Sequence, residues 1–201
     1  MSLAGHVHGS YVFGRRIRVL ARHLAELIPA NATVLDVGCG DGSLGRAIAD
    51  QRPDVQMEGL EVLLRPRTHI PVSRYDGNVL PFPTQHFDVV ALVDVLHHTP
   101  DPAYLLGEAK RVARKAILIK DHLLEGFLAG PTLRLMDRVG NRRHGVALPY
   151  NYWPKETWIN ALASAGLVAT TWRDQLDLYP WPASLVFERS LHFIARLEPR
   201  A

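Results

Sequence analysis

A glycine-rich turn between an apolar segment and a helical pattern most strongly constrains how this chain folds. Residues 34–37 are rich in β-branched side chains and run directly into Gly38-Cys39-Gly40-Asp41-Gly42. An amphipathic pattern with helical periodicity begins at Ser43. This order predicts a strand, a tight turn and a helix, with the unpaired N–H groups of the helix beside the turn. Glycine at such a turn allows a ligand to approach the backbone closely.

The glycine spacing fits two classes of ligand. Gly38-x-Gly40-x-Gly42 is typical of S-adenosylmethionine sites, whereas Gly40-x-Gly42-x-x-Gly45 fits the dinucleotide pattern, with Glu61 near the position of a ribose-binding acid. The glycine pattern alone leaves both open. Asp36 favours the first ligand, because a carboxylate repels pyrophosphate but attracts the ammonium group of the methionine part.

Composition predicts one domain and excludes several classes of site. The chain has 201 residues, of which 47% are hydrophobic, enough for one substantial core. It contains no apolar run of about 18 residues and no secretory signal pattern, so we expect no membrane span and a cytoplasmic location. The single cysteine, Cys39, excludes an intrachain disulfide and makes a cysteine-based metal site improbable, so no metal site is predicted.

The charge distribution indicates a small-molecule partner rather than a nucleic acid. The formal net charge is +3, and the basic residues are scattered along the chain. Nucleic-acid-binding proteins tend to concentrate basic charge and interleave it with aromatic residues. The pattern is therefore that of an ordinary solvated surface. It gives no indication of oligomeric state.

Apolar runs alternate with helical patterns along most of the chain, which predicts a parallel sheet covered by helices on both faces. Pro71 lies in the third predicted strand, so this strand is expected at an edge of the sheet. Strands are predicted at 34–37, 55–60, 70–75, 87–93, 116–120, 167–172 and 191–196, and helices at 17–28 and 43–52 and from Pro102 and Pro154.

Two segments fall outside this alternation. Residues 1–14 show little periodicity and are expected to form a loose or ligand-ordered arm. Residues 121–153 are apolar, and glycines and Pro131 are expected to divide them into short helical pieces. Such an insertion directly after a sheet strand is a candidate lid, although simple packing against the sheet edge is equally consistent with it. If both segments close over a pocket, the residues lining it would be Tyr11, His144, Tyr150 and Tyr152.

Four sequence blocks in order resemble the class I S-adenosylmethionine-dependent methyltransferases, in particular the branch with the ubiquinone/menaquinone C-methyltransferases. The blocks are residues 34–42, Gly59-Leu60-Glu61, residues 76–83, and Phe87-Asp88-Val89-Val90 continuing to Leu96-His97-His98. The resemblance is strong over residues 30–120 and looser over the last strands. It favours S-adenosylmethionine over a dinucleotide as the cofactor.

The resemblance implies an α/β, Rossmann-like fold with a seven-stranded sheet of order 3-2-1-4-5-7-6, in which strand 7 is antiparallel. It implies a single methyltransferase domain, 1–201, with an N-terminal helical arm at 1–29 and a lid-like insertion at 121–153. Gly38 and Gly40 would approach the methionine part of the cofactor, Glu61 the ribose hydroxyls and Asp76 the adenine amino group. The implied cofactor-binding residues are Asp36, Gly38, Cys39, Gly40, Glu61, Val62, Asp76, Gly77 and Val93. Only fifteen positions separate Glu61 from Asp76, so the helix expected between strands 2 and 3 is shortened or absent.

Candidate catalytic residues follow strands 4 and 5, because the ligand crevice of an open parallel sheet lies at the carboxyl ends of its strands. Methyl transfer is an in-line displacement, which needs a general base only if the acceptor must lose a proton. The candidates are His98, His122 and Asp94, with His97 and Asp121 beside them. For His98, a structural role is as consistent with the sequence as a catalytic one.

Three functions fit these features. The leading hypothesis is a methyltransferase that acts on a small, apolar or aromatic molecule. An RNA or protein methyltransferase would instead show a contiguous basic face beside the cofactor pocket. The third is a catalytically silent scaffold that binds S-adenosylmethionine.

Overall fold

The computed structural model describes residues 3–141 and 149–200, with side chains from residue 13 onward except that of residue 141. Strands and helices alternate through most of this range, as the sequence predicts. The helices are α1 (Leu3–Ala25), α2 (Ser43–Gln51), α3 (Pro102–Val112), α4 (Ala129–Asn141), α5 (Lys155–Ser164) and α6 (Ser184–Phe187). The strands are β1 (Thr33–Val37), β2 (Gln56–Glu61), β3 (Val72–Arg74), β4 (Phe87–Val93), β5 (Ala113–His122), β6 (Leu167–Arg173) and β7 (His192–Pro199), and a 3₁₀ turn spans Leu96–His98.

The seven strands form one sheet in the order β3-β2-β1-β4-β5-β7-β6, and β7 is antiparallel to both of its neighbours. The predicted topology is therefore confirmed, including the edge position of β3. Val37 pairs with Leu60 of β2 and Leu92 of β4, so these three strands end at the same level. The glycine turn and the polar residues after β4 consequently share the carboxyl edge of the sheet.

Apolar side chains cover both faces of the sheet. On one face, Leu105 and Leu106 of α3 and Trp158 of α5 pack against the strands, and all three are nearly inaccessible to solvent. On the other face, Leu24 of α1 and Ile48 of α2 form the second core cluster. This double burial explains why β4 reads as a continuous apolar run rather than an alternating one.

The connection between β2 and β3 contains no helix in the described part of the chain, as its length predicts. β3 itself is shorter than expected, with three residues instead of six. At the opposite end of the sheet, Asp88 accepts hydrogen bonds from the backbone of Thr33 and the side chain of Arg114. It therefore joins β1 to β4 and β5, in agreement with the structural role expected for it.

The prediction of a loose arm is wrong for residues 3–14, the part of that segment that the structure describes. The backbone of α1 is helical from Leu3, and the helix continues without a break into the amphipathic segment predicted from residue 17. No proline occurs before Pro29, so no residue of this segment blocks the backbone of an established helix, although its glycines disfavour one.

The segment after β5 also differs from its prediction. β5 continues through His122, and residues 129–141 form one helix instead of several pieces. Pro131 lies in the first turn of α4, where its missing N–H group has no intrahelical acceptor to lose. Gly140 falls in the last turn, where it does not interrupt the helix. None of the helices in the described ranges is long and apolar enough to cross a membrane.

Candidate active site

The glycine turn contains three glycines at alternate positions, and each has a left-handed backbone conformation. Gly38, Gly40 and Gly42 have φ angles of 71°, 61° and 76°. A Cβ atom on Gly38 would lie 2.6 Å from Val95 Cγ2, so a side chain there would displace the loop after β4. Because these glycines have no side chains, the ends of the turn can pack closely against their neighbours.

Gly40 differs from the other two because it faces open space. A Cβ atom built there would meet no atom within 4 Å. The φ angle nevertheless disfavours any other residue at this position. The structure therefore leaves room beside Gly40 for a ligand, as the sequence predicts for a cofactor loop.

Glu61, at the end of β2, is held against this turn. Its Oε2 accepts a hydrogen bond of 2.8 Å from the backbone N–H of Gly40, while Oε1 accepts from Val62 and Leu63 at 2.9 and 3.1 Å. The carboxylate is therefore positioned by the backbone of the glycine turn and by that of the two residues after β2. A carboxylate fixed in this way can accept two hydroxyl groups of a diol.

Asp36 lies beneath the turn and is 3% exposed. Burial, together with the nearby Glu61 carboxylate, raises the pKa of Asp36 to about 7. A cation close to both carboxylates would favour the ionised form of Asp36. Cys39 is buried enough that its thiol pKa is raised above the ordinary value, so the thiol is protonated at neutral pH.

The predicted adenine-binding residues also come together. Gly77 has a φ angle of 88°, and a Cβ atom there would lie 3.4 Å from Val62 Cγ2. Asp76 is exposed and closes a turn by accepting the backbone N–H groups of Asn78 and Val79. Val93, the last residue of β4, is half-buried at the same edge of the sheet.

A second group of polar side chains follows β4 and β5. Asp94 accepts ion-paired hydrogen bonds from Arg16 of α1 and from Lys120 of β5, whose side chain is completely buried. Burial alone would raise the pKa of Asp94, but these two cations hold it well below its ordinary value. Burial lowers the pKa of Lys120. Asp94 thus stabilises the contact between α1 and the sheet.

His122 is deep in this group. Its Nδ1 lies 3.1 Å from Nδ1 of His192, and its Nε2 lies 3.6 Å from Asp94 Oδ1. Burial, followed by the charge of Lys120, holds the pKa of both histidines well below the ordinary value. His122 is therefore a neutral side chain that is 3% exposed.

His97 connects β5 to α4. Its Nδ1 is 2.7 Å from Asp121 Oδ1, and its Nε2 is 3.5 Å from Asp137 Oδ2. Asp137 also accepts a hydrogen bond from the hydroxyl of Tyr152. Burial alone would lower the pKa of His97, but the two carboxylates raise it to about 10.

His98 is the more exposed of the two adjacent histidines. Its ring centroid is 3.9 Å from that of His97, and one ring nitrogen of each histidine and one carboxylate oxygen of Asp137 all lie within 4.8 Å of one another. Burial, and then the neighbouring His97, lowers the pKa of His98. It is therefore neutral at pH 7.

The structure thus brings all three predicted catalytic residues to one edge of the sheet, together with residues that the sequence analysis did not select. These additional residues are Arg16, Lys120, Asp137 and His192. The sequence contains a signal for Lys120, because it is a charged residue within an apolar strand. Of the predicted pocket-lining residues, Tyr152 is buried and Tyr150 half-buried, His144 lies outside the described residues, and the side chain of Tyr11 is not described.

Comparison with known proteins agrees with this arrangement. The sequence profile of a family described as a methyltransferase domain matches residues 9–171. The chain belongs to the S-adenosylmethionine-dependent methyltransferases. This membership confirms the family-level resemblance and S-adenosylmethionine as the cofactor. It also decides between the two ligands that the glycine pattern left open.

Curated relatives of this methyltransferase act on different molecules. It is 30% identical over 128 residues to a 27-O-demethylrifamycin SV methyltransferase of Amycolatopsis mediterranei, covering 55% of this chain and 47% of that one. It is 30% identical over 139 residues to a 2-methyl-6-phytyl-1,4-hydroquinone methyltransferase of Synechocystis, covering 65% and 39% of the two chains. The matches span less than half the length of these relatives.

Solved structures share the fold of this methyltransferase. An S-adenosylmethionine-dependent methyltransferase from Aquifex aeolicus superposes with a TM-score of 0.62 at 17% identity, covering 90% of this chain and 91% of that one. A second, from Mesorhizobium loti, gives a TM-score of 0.63 at 17% identity, with coverage of 88% and 96%. At these identities the likeness establishes the fold alone.

Proposed function

We propose that this methyltransferase transfers the methyl group of S-adenosylmethionine to a small apolar or aromatic molecule. One observation carries the proposal: the glycine turn and the cluster of His97, His98 and Asp137 share the carboxyl edge of the same sheet. A cofactor at the turn and an acceptor at the cluster would be adjacent there. The names of the curated relatives support an acceptor of this class.

The residues around the turn fit the proposed cofactor. Gly40 leaves open space, and Glu61 offers a fixed carboxylate for the ribose hydroxyls. Asp36 would be ionised by the methionine ammonium expected beside it, since its pKa is raised to about 7 without a cation, and Val62 with Gly77 borders the region proposed for adenine. When bound, S-adenosylmethionine supplies an electrophilic methyl group on a sulfonium centre.

The residues after β5 favour an acceptor with an apolar or aromatic body. Tyr150 and Tyr152 stand next to α4, and Arg134 lies 5.7 Å from the Tyr150 ring centroid. Tyr152 and Asp137 tie residues 149–153 to α4. We infer that this part of the insertion covers the acceptor and excludes water from the sulfonium. We also place the protein near the ubiquinone/menaquinone branch, with a phenol or quinol as the acceptor class.

His98 is the predicted catalytic residue best placed to meet an acceptor. Asp94 is already paired with Arg16 and Lys120, and His122 is buried. His98 is neutral and half-buried, so it can contact a bound molecule. We infer that the acceptor hydroxyl is activated at the cluster containing His98, while Asp94 positions α1.

Turnover with labelled S-adenosylmethionine tests this proposal. The full chain would be incubated with simple phenols, hydroquinones and a metabolite extract, and transfer of the label would be followed. We expect labelled product, and His98→Gln should reduce turnover much more than affinity for S-adenosylhomocysteine. His86→Gln, an exposed histidine at the other end of the sheet, is the matched control. Binding without transfer to any of these acceptors would favour the silent scaffold instead.

A further inference from the structure

Two histidines and a carboxylate converge near the proposed acceptor site with the geometry of metal ligands. One ligand atom each from His97, His98 and Asp137 lies within 4.8 Å of the other two. His97 and Asp137 are buried, whereas His98 is half-buried. Two of the residues follow β4 and the third belongs to α4, so the cluster joins the sheet to the segment proposed to cover it.

Asp121 fixes which nitrogen of His97 faces the cluster. Its carboxylate is 2.7 Å from Nδ1, and this leaves Nε2 directed toward Asp137. That nitrogen is buried, and it makes an ion-pair contact with Asp137 Oδ2 at 3.5 Å but no hydrogen bond within the described part of the chain. A carboxylate on the remote nitrogen is the arrangement that orients metal-binding histidines and increases their basicity.

Asp137 is fixed in a similar way. The hydroxyl of Tyr152 donates to its Oδ2, and Oδ1 is 3.9 Å from His122 Nε2. Each carboxylate oxygen has two lone pairs, so the hydrogen bond from Tyr152 leaves capacity for a metal. The separation of 3.5 Å between Asp137 Oδ2 and His97 Nε2 suits two ligands of one ion with bonds of about 2.0–2.2 Å.

We propose that His97, His98 and Asp137 bind a divalent transition-metal ion, such as Zn²⁺ or Fe²⁺. Three protein ligands leave at least one coordination position open, which is the arrangement of catalytic rather than structural metal sites. The role of the ion rests on the proposed function. The ion binds the acceptor hydroxyl and lowers its pKa, and His98 serves as a ligand of the ion.

Cobalt binding provides a readout that does not depend on activity. The full chain, stripped with a chelator, would be titrated with Co²⁺ and followed by visible absorption and isothermal titration calorimetry. We expect one ion per chain, with d–d bands and no thiolate charge-transfer band, because Cys39 is not a ligand. His98→Gln and Asp137→Asn should each weaken binding at least about tenfold. Asp137→Asn keeps an oxygen acceptor for Tyr152, which protects the fold.

Control variants separate this site from adventitious binding. His86→Gln changes an exposed histidine far from the cluster and should leave Co²⁺ affinity unchanged. His6 and His8 lie two residues apart near the N-terminus and could bind an ion adventitiously. Loss of binding in a His6→Gln/His8→Gln variant, or equal affinity in wild type, His98→Gln and Asp137→Asn, would overturn the proposal. Failure to bind any ion saturably would do the same. Calorimetry with S-adenosylhomocysteine on the same samples tests the proposed function separately, since its site at Glu61 does not include the cluster.

Discussion

The backbone N–H of Gly40 donates a hydrogen bond of 2.8 Å to Glu61 Oε2. This contact joins the glycine turn after β1 to the end of β2. It places a carboxylate at the one position of the turn that faces open space. The backbone of the turn therefore holds the Glu61 carboxylate at the proposed cofactor site.

Glu61→Ala should weaken binding of S-adenosylhomocysteine by about 1–3 kcal/mol, or roughly 5- to 150-fold, because the ribose hydroxyls lose their acceptor. Titration calorimetry measures this change. Glu58→Ala, in the same strand and three residues earlier, is the control and should bind normally. Equal affinities in both variants would remove Glu61 from the site.

Gly59→Ala should destabilise the fold, because the new Cβ would lie 2.4 Å from Cys39 Sγ and 3.2 Å from Val72 Cγ2. Overpacking of this kind costs about 1–3 kcal/mol, measurable by urea unfolding. Cys39→Ala removes the closest atom and should recover part of the loss in a double-mutant cycle. Gly107→Ala is the control, since nothing lies within 4 Å of its added Cβ. A cost that Cys39→Ala leaves unchanged would place the clash elsewhere.

Asp36 should make the stability of the ligand-free protein depend on pH. Burial and Glu61 raise its pKa to about 7 in the folded state, above the ordinary value of 3.8. The folded state therefore retains a proton that the unfolded state releases, so stability relative to Asp36→Asn is greatest below pH 4 and falls until about pH 7. Unfolding curves of both proteins between pH 4 and 8 measure the difference. A difference that is constant with pH would show that Asp36 ionises normally.

Asp94→Asn should be strongly destabilising, by about 3–5 kcal/mol, because it removes the ion-pair partner of the completely buried Lys120. The double variant Asp94→Asn/Lys120→Met removes the uncompensated charge and should recover part of this loss. Thermal unfolding of the two variants gives the comparison. If the single and double variants were equally unstable, the ion pair would not be the source of the effect.

The sequence determined most of the sheet. Continuous apolar runs marked strands such as β4, the glycine turn marked the end of β1, and Pro71 marked the edge strand. These features are local, because strand formation, turn conformation and backbone restriction depend on neighbouring residues. The ends of α1 and the continuity of α4 were mispredicted because those predictions also relied on local features. Weak local signals there were outweighed by propagation of the helix and by the tolerance of proline in a first turn.

The cofactor side of the site could be selected from the sequence, but the acceptor side could not. Glu61 and the glycines form a recognisable pattern over about two dozen positions. Asp137, His192 and Arg16, in contrast, gain their roles from partners that are distant in the chain, and Arg16 and Asp94 are 78 positions apart.

Only the tertiary structure brought His97, His98 and Asp137 together and sealed Lys120 beneath Asp94. Burial and proximity of charged groups are set by the packing of α1 and α4 against the sheet. Local sequence patterns do not encode that packing, and the pKa values of these groups and their capacity to bind ligands follow from it.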